Sequence, residues 1–374
     1  MRVLAVVLAL VLMLPGLAAC GPSLDAPAAP ATPAGRVSLA DPAPTRIAQQ
    51  RSLPVSRPFG GGLAGSPAQA TPAPPAPPPP TATRTPSPPS PTTTPTVPPP
   101  APTPIPPGPT LSRFDAATKA RLRAIWQAGQ ARGRRPNVLA KVGDSITASG
   151  SFLADVGDGR AVLGDHRELA PIIAYYRAAR VDRSGGRAHN SLNRRSLAAK
   201  AGWMGSDILG IHPGRPVVKP SPLQQEYAAI NPSVALIMFG TNDIDQTGVD
   251  FFSSNLAAIV HASIDGGIIP VLSTIPDRMD YPQAAYRTAP FNDAIRALAA
   301  QEHLPLIEYG AAMQQLPNHG LGSDMVHPSI YPGHGSVTFT AKGLRYGWNL
   351  RNFLTLQMLA RLKAVVIDNG PPEP

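Results

Sequence analysis

From residue 111 onward, short apolar runs alternate with stretches whose apolar residues return every third or fourth position. "NVLAKVG" (137–143), "SVALIMFG" (233–240), "IIPVLSTIP" (268–276) and "LPLIEYG" (304–310) are near-continuous runs bounded by turn residues, and each predicts a strand. "SLAAKAG" (196–202) predicts a further short strand. Between them lie helical patterns: "PLQQEYAAIN" (222–231), "FFSSNLAAIVHASIDGG" (251–267), "APFNDAIRALAAQEH" (289–303) and the long "LRYGWNLRNFLTLQMLARLKAVV" (344–366). In 251–267, Phe252, Leu256, Ile259, Val260 and Ile264 share one helical face. "ELAPIIAYYRAARV" (168–181) reads as helix or mixed structure. Strands without polar alternation are buried on both faces, as parallel sheets require. The predicted fold is therefore a three-layer α/β/α sandwich around a mostly parallel, flavodoxin-like sheet. Ligands of such sheets sit outside the carboxyl ends of the strands, so catalytic residues are expected just after the apolar runs.

The first 110 residues follow other rules. "MRVLAVVLALVLMLPGLAAC" has a single Arg, an apolar run from Val3 to Leu14, a Pro-Gly break and small residues before Cys20. That is the pattern of a secretory signal, and it is shorter than the roughly 20 apolar residues a membrane span needs. Cys20 is the only cysteine among 374 residues, which excludes intramolecular disulfides and cysteine-based metal sites. "LAACG" (17–21) resembles the lipobox of bacterial lipoproteins, which implies cleavage before Cys20, its acylation and a membrane anchor outside the cytoplasm. Residues 21–110 are rich in Pro, Ala, Thr and Ser, and bury too little apolar surface to offset the entropy of ordering. Their proline-dense part favours polyproline II, reaching about 120 Å at about 3.1 Å per residue. The expected organisation is a signal peptide (1–20), a disordered stalk (21–110) and one folded domain (111–374).

Charge adds little. The formal net charge of +10 is partly concentrated in "RLRAIWQAGQARGRRPN" (121–137), read as a solvated helix face with weak attraction to anionic envelope polymers. No nucleic-acid-binding motif accompanies it, and no nucleic-acid partner is expected.

Polar residues follow the predicted strands where the fold argument asks for them. Gly143-Asp144-Ser145 follows the first run, Gly202 and Gly205 in "AGWMGSD" follow the second, and Gly240-Thr241-Asn242-Asp243 follows "SVALIMF". Asp324 and His327 in "SDMVHPS" lie after the last strand and before the closing helix. There is no G-x-S-x-G elbow, "SLAAK" is one residue too long for S-x-x-K, and no H-E-x-x-H or other metal spacing occurs.

The four blocks, in this order, resemble the SGNH (GDSL-type) hydrolase family over residues 138 to about 360. The resemblance implies a serine esterase without metal or cofactor, in which Ser145 is the nucleophile, His327 the general base and Asp324 its orienting carboxylate. It further implies an oxyanion hole of the Ser145 N–H, a glycine N–H and the Asn242 amide, with Gly205 preferred over Gly202 as that glycine. Asp144 and Asp243 are expected to be structural. The implied substrate is a small-molecule or glycan ester, possibilities including deacetylation of polysaccharide. An O-acyltransferase acting on envelope glycans uses the same triad, and a non-catalytic glycan-binding lipoprotein is a rival of another class. Two segments exceed the family pattern, 157–196 and "SIYPGHGSVTF" (329–339), and both are expected near the active face. Trp203, Phe239 and Tyr331 are candidates for lining the pocket, with core packing as the alternative for each.

Overall fold

The computed structural model describes residues 110–373 except Gly185 and Pro213. The predicted signal peptide, Cys20 and all of the predicted stalk but Thr110 lie outside the described residues. In chain order the elements that matter here are α1 (Ala116–Ala131), β1 (Arg135–Gly143), α2 (Ser145–Ala148), α3 (Ala154–Gly157), α4 (Ala170–Arg177), β2 (Asp182–Ser184) and β3 (Arg187–His189). They continue with α5 (Gly205–Ile208), α6 (Pro222–Ile230), β4 (Pro232–Met238), α7 (Asp243–Gln246), α8 (Val249–Asp265) and β5 (Ile269–Ser273). The last are α9 (Pro282–Gln301), β6 (Leu306–Ile307), α10 (Tyr309–Gln314) and α11 (Gly347–Leu362).

The main sheet has the order β1-β4-β5-β6 and every pairing in it is parallel. Helices α1, α4 and α11 cover one face, and α5, α6, α8 and α9 the other. Each residue of β4 is buried, as its unbroken apolar run requires in the sheet's interior. One apolar core runs through both layers, from Leu122 and Ile125 of α1 to Leu256 and Ile259 of α8. The edge beside β6 is closed by the incoming chain, where Ser112 N–H donates to the Leu306 carbonyl at 2.9 Å and Glu308 N–H to that of Thr110 at 2.9 Å.

Three expectations change in detail. "SLAAKAG" forms no strand; Ala199 makes a single parallel bridge to Gly143, because the segment touches β1 only at its last residue. Helix α9 begins at Pro282, earlier than the pattern indicated, and carries Pro290 in its interior. Pro290 marks a helix start in sequence, yet here it sits inside a helix, where the lost ladder hydrogen bond and the crowding of the preceding turn are offset by a face buried through Ala284, Phe291 and Ile295. The antiparallel β2–β3 hairpin was not anticipated: its strands are three residues each and polar, too short for periodicity to show.

That hairpin belongs to the long segment after Ser145, and two sets of contacts attach the segment to the body. Arg194, nearly buried, pairs with buried Glu226 of α6 at 2.7 Å and with Asp182 at 2.7 Å. Buried Lys141 of β1 donates from Nζ to the Leu192 carbonyl at 2.8 Å, and burial lowers its pKa to about 8. Segments 157–196 and 329–339 also meet each other. Val162 N–H donates to the Val337 carbonyl at 2.9 Å and Phe339 N–H to that of Val162 at 2.7 Å.

Candidate active site

Strand β1 ends on Gly143 because nothing larger fits. A Cβ there would lie 2.3 Å from Thr147 Oγ1 and 2.5 Å from the Met238 carbonyl oxygen. The chain then turns directly into α2. Asp144 is its N-cap, accepting from Ile146 N–H at 2.9 Å, and Ser145 is the first helical residue. A first-turn N–H has no intrahelical acceptor, and the Ser145 N–H forms no backbone hydrogen bond among the described residues.

Arg351 of α11 holds this turn from beneath. Buried, its guanidinium donates to the Ile146 carbonyl at 2.5 Å and to Thr147 Oγ1 at 2.9 Å, and lies 3.8 Å from the centroid of Phe152. Burial lowers its pKa to about 10. Asp144 is fully buried, which raises its pKa, while the Ile146 N–H and the Arg351 charge pull the other way.

His327 reaches the same point from the far end of the domain. The loop carrying it is a tight hairpin, with Gly322 N–H donating to the His327 carbonyl at 2.8 Å and Ser329 N–H to that of Gly320 at 2.7 Å. The Ser145 hydroxyl lies 2.8 Å from His327 Nε2, and His327 Nδ1 lies 2.6 Å from Asp324 Oδ2. The other Asp324 oxygen accepts from Val326 N–H at 3.1 Å and His327 N–H at 2.9 Å. Partial burial pushes the Asp324 pKa upward, but those backbone bonds and the imidazole outweigh it and leave the carboxyl below its ordinary value. Ser145, His327 and Asp324 therefore form one connected hydrogen-bonded chain.

Asn242 stands after β4. Gly240 makes the turn before it with φ +128°, a conformation that favours glycine. One Asn242 amide hydrogen is donated to the Trp203 carbonyl at 2.9 Å, which fixes the side chain, and the second has no acceptor among the described residues. The loop is braced by Arg278, which donates to the Thr241 carbonyl at 2.9 Å and pairs with Asp245 and Asp280. Gly205 is buried, and its N–H donates inward to Asp243 Oδ1 at 3.1 Å. Gly202 sits exposed in the preceding turn at φ +80°. Asp243 is itself fully enclosed, and desolvation pushes its pKa up to about 6, against the Gly205 N–H and with help from the neighbouring Asp144 charge.

The pocket candidates separate. Phe239 is 1% exposed and belongs to the core. Trp203 is half-buried beside Asn242, with Lys200 Nζ 5.8 Å from its ring centre. Tyr331 lies between His334 and Tyr346, with ring centroids 4.3 and 4.8 Å away. Neither neighbouring histidine joins the Ser145 chain: His334 is in that stack, and His319 bonds Asp277. Sequence reasoning missed Arg278 and Arg351. Arg278 follows a strand's carboxyl end, the position already singled out for functional residues, and Arg351 is a lone charge in the apolar face of the closing helix.

A family model described as the GDSL-like lipase/acylhydrolase family matches residues 141–330. Similar solved structures include a GDSL-like lipase from Bacteroides thetaiotaomicron, 15% identical, covering 64% of this chain and 97% of its own, with a TM-score of 0.39. A lipase/acylhydrolase from Enterococcus faecalis is 19% identical and covers 64% of this chain and 100% of its own, with a TM-score of 0.39. A catalytic mutant of an acetylxylan esterase from Geobacillus stearothermophilus is 16% identical, covering 59% of this chain and 93% of its own, with a TM-score of 0.36. No curated protein matches the chain.

Proposed function

This chain belongs to the GDSL-like lipase/acylhydrolase family and is an ester-hydrolysing enzyme, and we propose that it works through an acyl-enzyme on Ser145. The observation that carries this reading is the continuous path from Ser145 Oγ through His327 to Asp324. His327 Nε2 takes the hydroxyl proton as Ser145 Oγ bonds to the ester carbonyl carbon, and returns it to the departing alcohol oxygen as the C–O bond breaks. Asp324 holds the imidazole with Nδ1 protonated and balances its cation. Water, activated by the same imidazole, then releases the acid and restores Ser145.

The carbonyl oxygen becomes an anion during attack and needs donors already in position. We assign the Ser145 N–H and the second amide hydrogen of Asn242 to it. Gly205 contributes as third donor only by sharing the hydrogen it gives to Asp243.

The location is part of the same proposal: acylation of Cys20 anchors the enzyme outside the cytoplasm, and residues 21–110 hold the domain from 111 onward away from the membrane. Two acyl chains anchor stably where one does not. A fluorophosphonate probe tests the chemistry. Label is expected on Ser145 and absent from Ser145→Ala; a folded wild-type protein that stays unlabelled would favour the glycan-binding rival. Loss of membrane fractionation in Cys20→Ser tests the anchor.

A further inference from the structure

A depression of about 390 Å³ is lined by the stretches that directly follow the two catalytic segments. One wall is Ser149, Gly150 and Ser151, beginning one helical turn beyond Ser145; the facing wall is Ile330, Gly335 and Ser336, beginning three residues after His327. We propose that this groove binds the alcohol part of the ester, and that this part is a neutral saccharide. The proposal rests on the ester-hydrolase reading of Ser145 and adds the substrate class to it.

The groove is built rather than incidental. Fully buried Asn352 of α11 donates to the carbonyls of Ser151 and Ser336, each at 2.8 Å, so one side chain ties both walls and sets their separation. Its oxygen accepts from Leu153 N–H at 2.9 Å, and Leu153 is held at φ +62°, a strained conformation for a branched residue. Strain of this kind persists only where the surroundings impose it. The facing loop is equally fixed: Gly335 N–H donates to the Tyr331 carbonyl at 3.0 Å, and Asn349 donates to the Gly335 carbonyl at 3.2 Å.

The lining selects among the three kinds of alcohol an ester can carry. A lipid requires a continuous apolar surface, and here exposed Ile330 is the one large apolar residue among hydroxyls, glycines and alanine. An anionic polymer requires an uncompensated cation. Arg160, the only cation in the lining, donates to Asp155 in the same groove at 3.0 Å and pairs with Asp158 at 2.8 Å. A neutral sugar ring fits what remains. Its hydroxyls meet Ser149, Ser151 and the Asp155–Arg160 pair, and its C–H face meets Ile330.

Gly150 provides the test, because a Cβ there meets nothing within 4 Å. A large side chain at this groove-lining position meets no core atom at its Cβ, so Gly150→Trp is the variant chosen to obstruct the groove. With an O-acetylated cello-oligosaccharide and 4-nitrophenyl acetate as substrates, the ratio of their kcat/KM values is expected to fall at least about tenfold in Gly150→Trp and about threefold in Ile330→Ala, chiefly through the oligosaccharide KM. An unchanged ratio overturns the proposal, as does an equal loss on 4-nitrophenyl decanoate, which would make the groove an acyl-chain site. Calorimetry on Ser145→Ala separates this inference from the hydrolase reading. Saturable binding of the oligosaccharide, weakened by Gly150→Trp, supports the groove whatever the turnover, and absence of binding overturns it. Failure of wild-type protein to cleave 4-nitrophenyl acetate would instead strike the hydrolase reading.

Discussion

Two Asp–His pairs stand at the carboxyl edge of the sheet, and they are almost the same in themselves. In one, His327 Nδ1 lies 2.6 Å from Asp324; in the other, His319 Nδ1 lies 2.7 Å from Asp277, and both imidazoles are partly exposed. They differ in what the far nitrogen meets. His327 Nε2 reaches a hydroxyl at the start of a helix, and no such bond is formed by His319 Nε2 among the described residues. The carboxylates differ too. Asp277 is engaged by Gln314 at 3.1 Å, a neutral side chain that locks it in place, whereas Asp324 is steadied by the backbone of its own loop. A carboxylate–imidazole pair is thus a common product of loop packing. Reactivity comes from the third group, which another strand must deliver.

Substitutions can break that comparison in order of severity. Ser145→Ala is expected to lower 4-nitrophenyl acetate hydrolysis by about 10⁴-fold or more while moving Tm little, and adding His327→Ala should cost almost nothing further, because the two act as a unit. Asp324→Asn keeps the shape but favours the wrong imidazole tautomer, and a loss of about 10³- to 10⁴-fold in kcat is expected. Asn242→Ala should lower kcat by about 10²- to 10³-fold; full activity would remove Asn242 from the oxyanion assignment.

Stability carries its own signal. Asp243 binds its proton more tightly folded, near pH 6, than unfolded, near 3.8. Its ionisation therefore adds no penalty below about pH 4, and the full ionisation penalty, on the order of 3 kcal/mol, applies above about pH 6. Chemical denaturation of Asp243→Asn between pH 4 and 7 should show a shallower fall in stability than wild type. The smallest effect belongs to the second pair: His319→Ala is expected to change kcat/KM less than about twofold, and a loss matching that of His327→Ala would mean that the two pairs are coupled.

Most of the fold was legible because the sheet is parallel and buried. β4 and β5 are apolar runs that have no other stable place, and the residues after them fall at the functional edge by topology alone. What escaped was short or polar. The β2–β3 hairpin has no apolar period, and Ala199 touches β1 through one bridge, so neither leaves a local pattern. At the site, motif spacing singled out Ser145, Asn242, Asp324 and His327, and the structure brings Ser145, Asp324 and His327 into one chain. The inward bond of Gly205 was not readable, since it depends on where Asp243 sits 38 residues later. Arg351 escaped for the opposite reason: its partners are 204 and 205 residues away, and no spacing rule reaches that far.

That distance orders events in time. The turn bearing the hydroxyl is synthesised long before the guanidinium that underpins it, and the adjacent Asn352 closes the groove in the same step. While the chain is still growing, the nucleophile's turn lacks its last two side-chain hydrogen bonds, which form only when α11 docks.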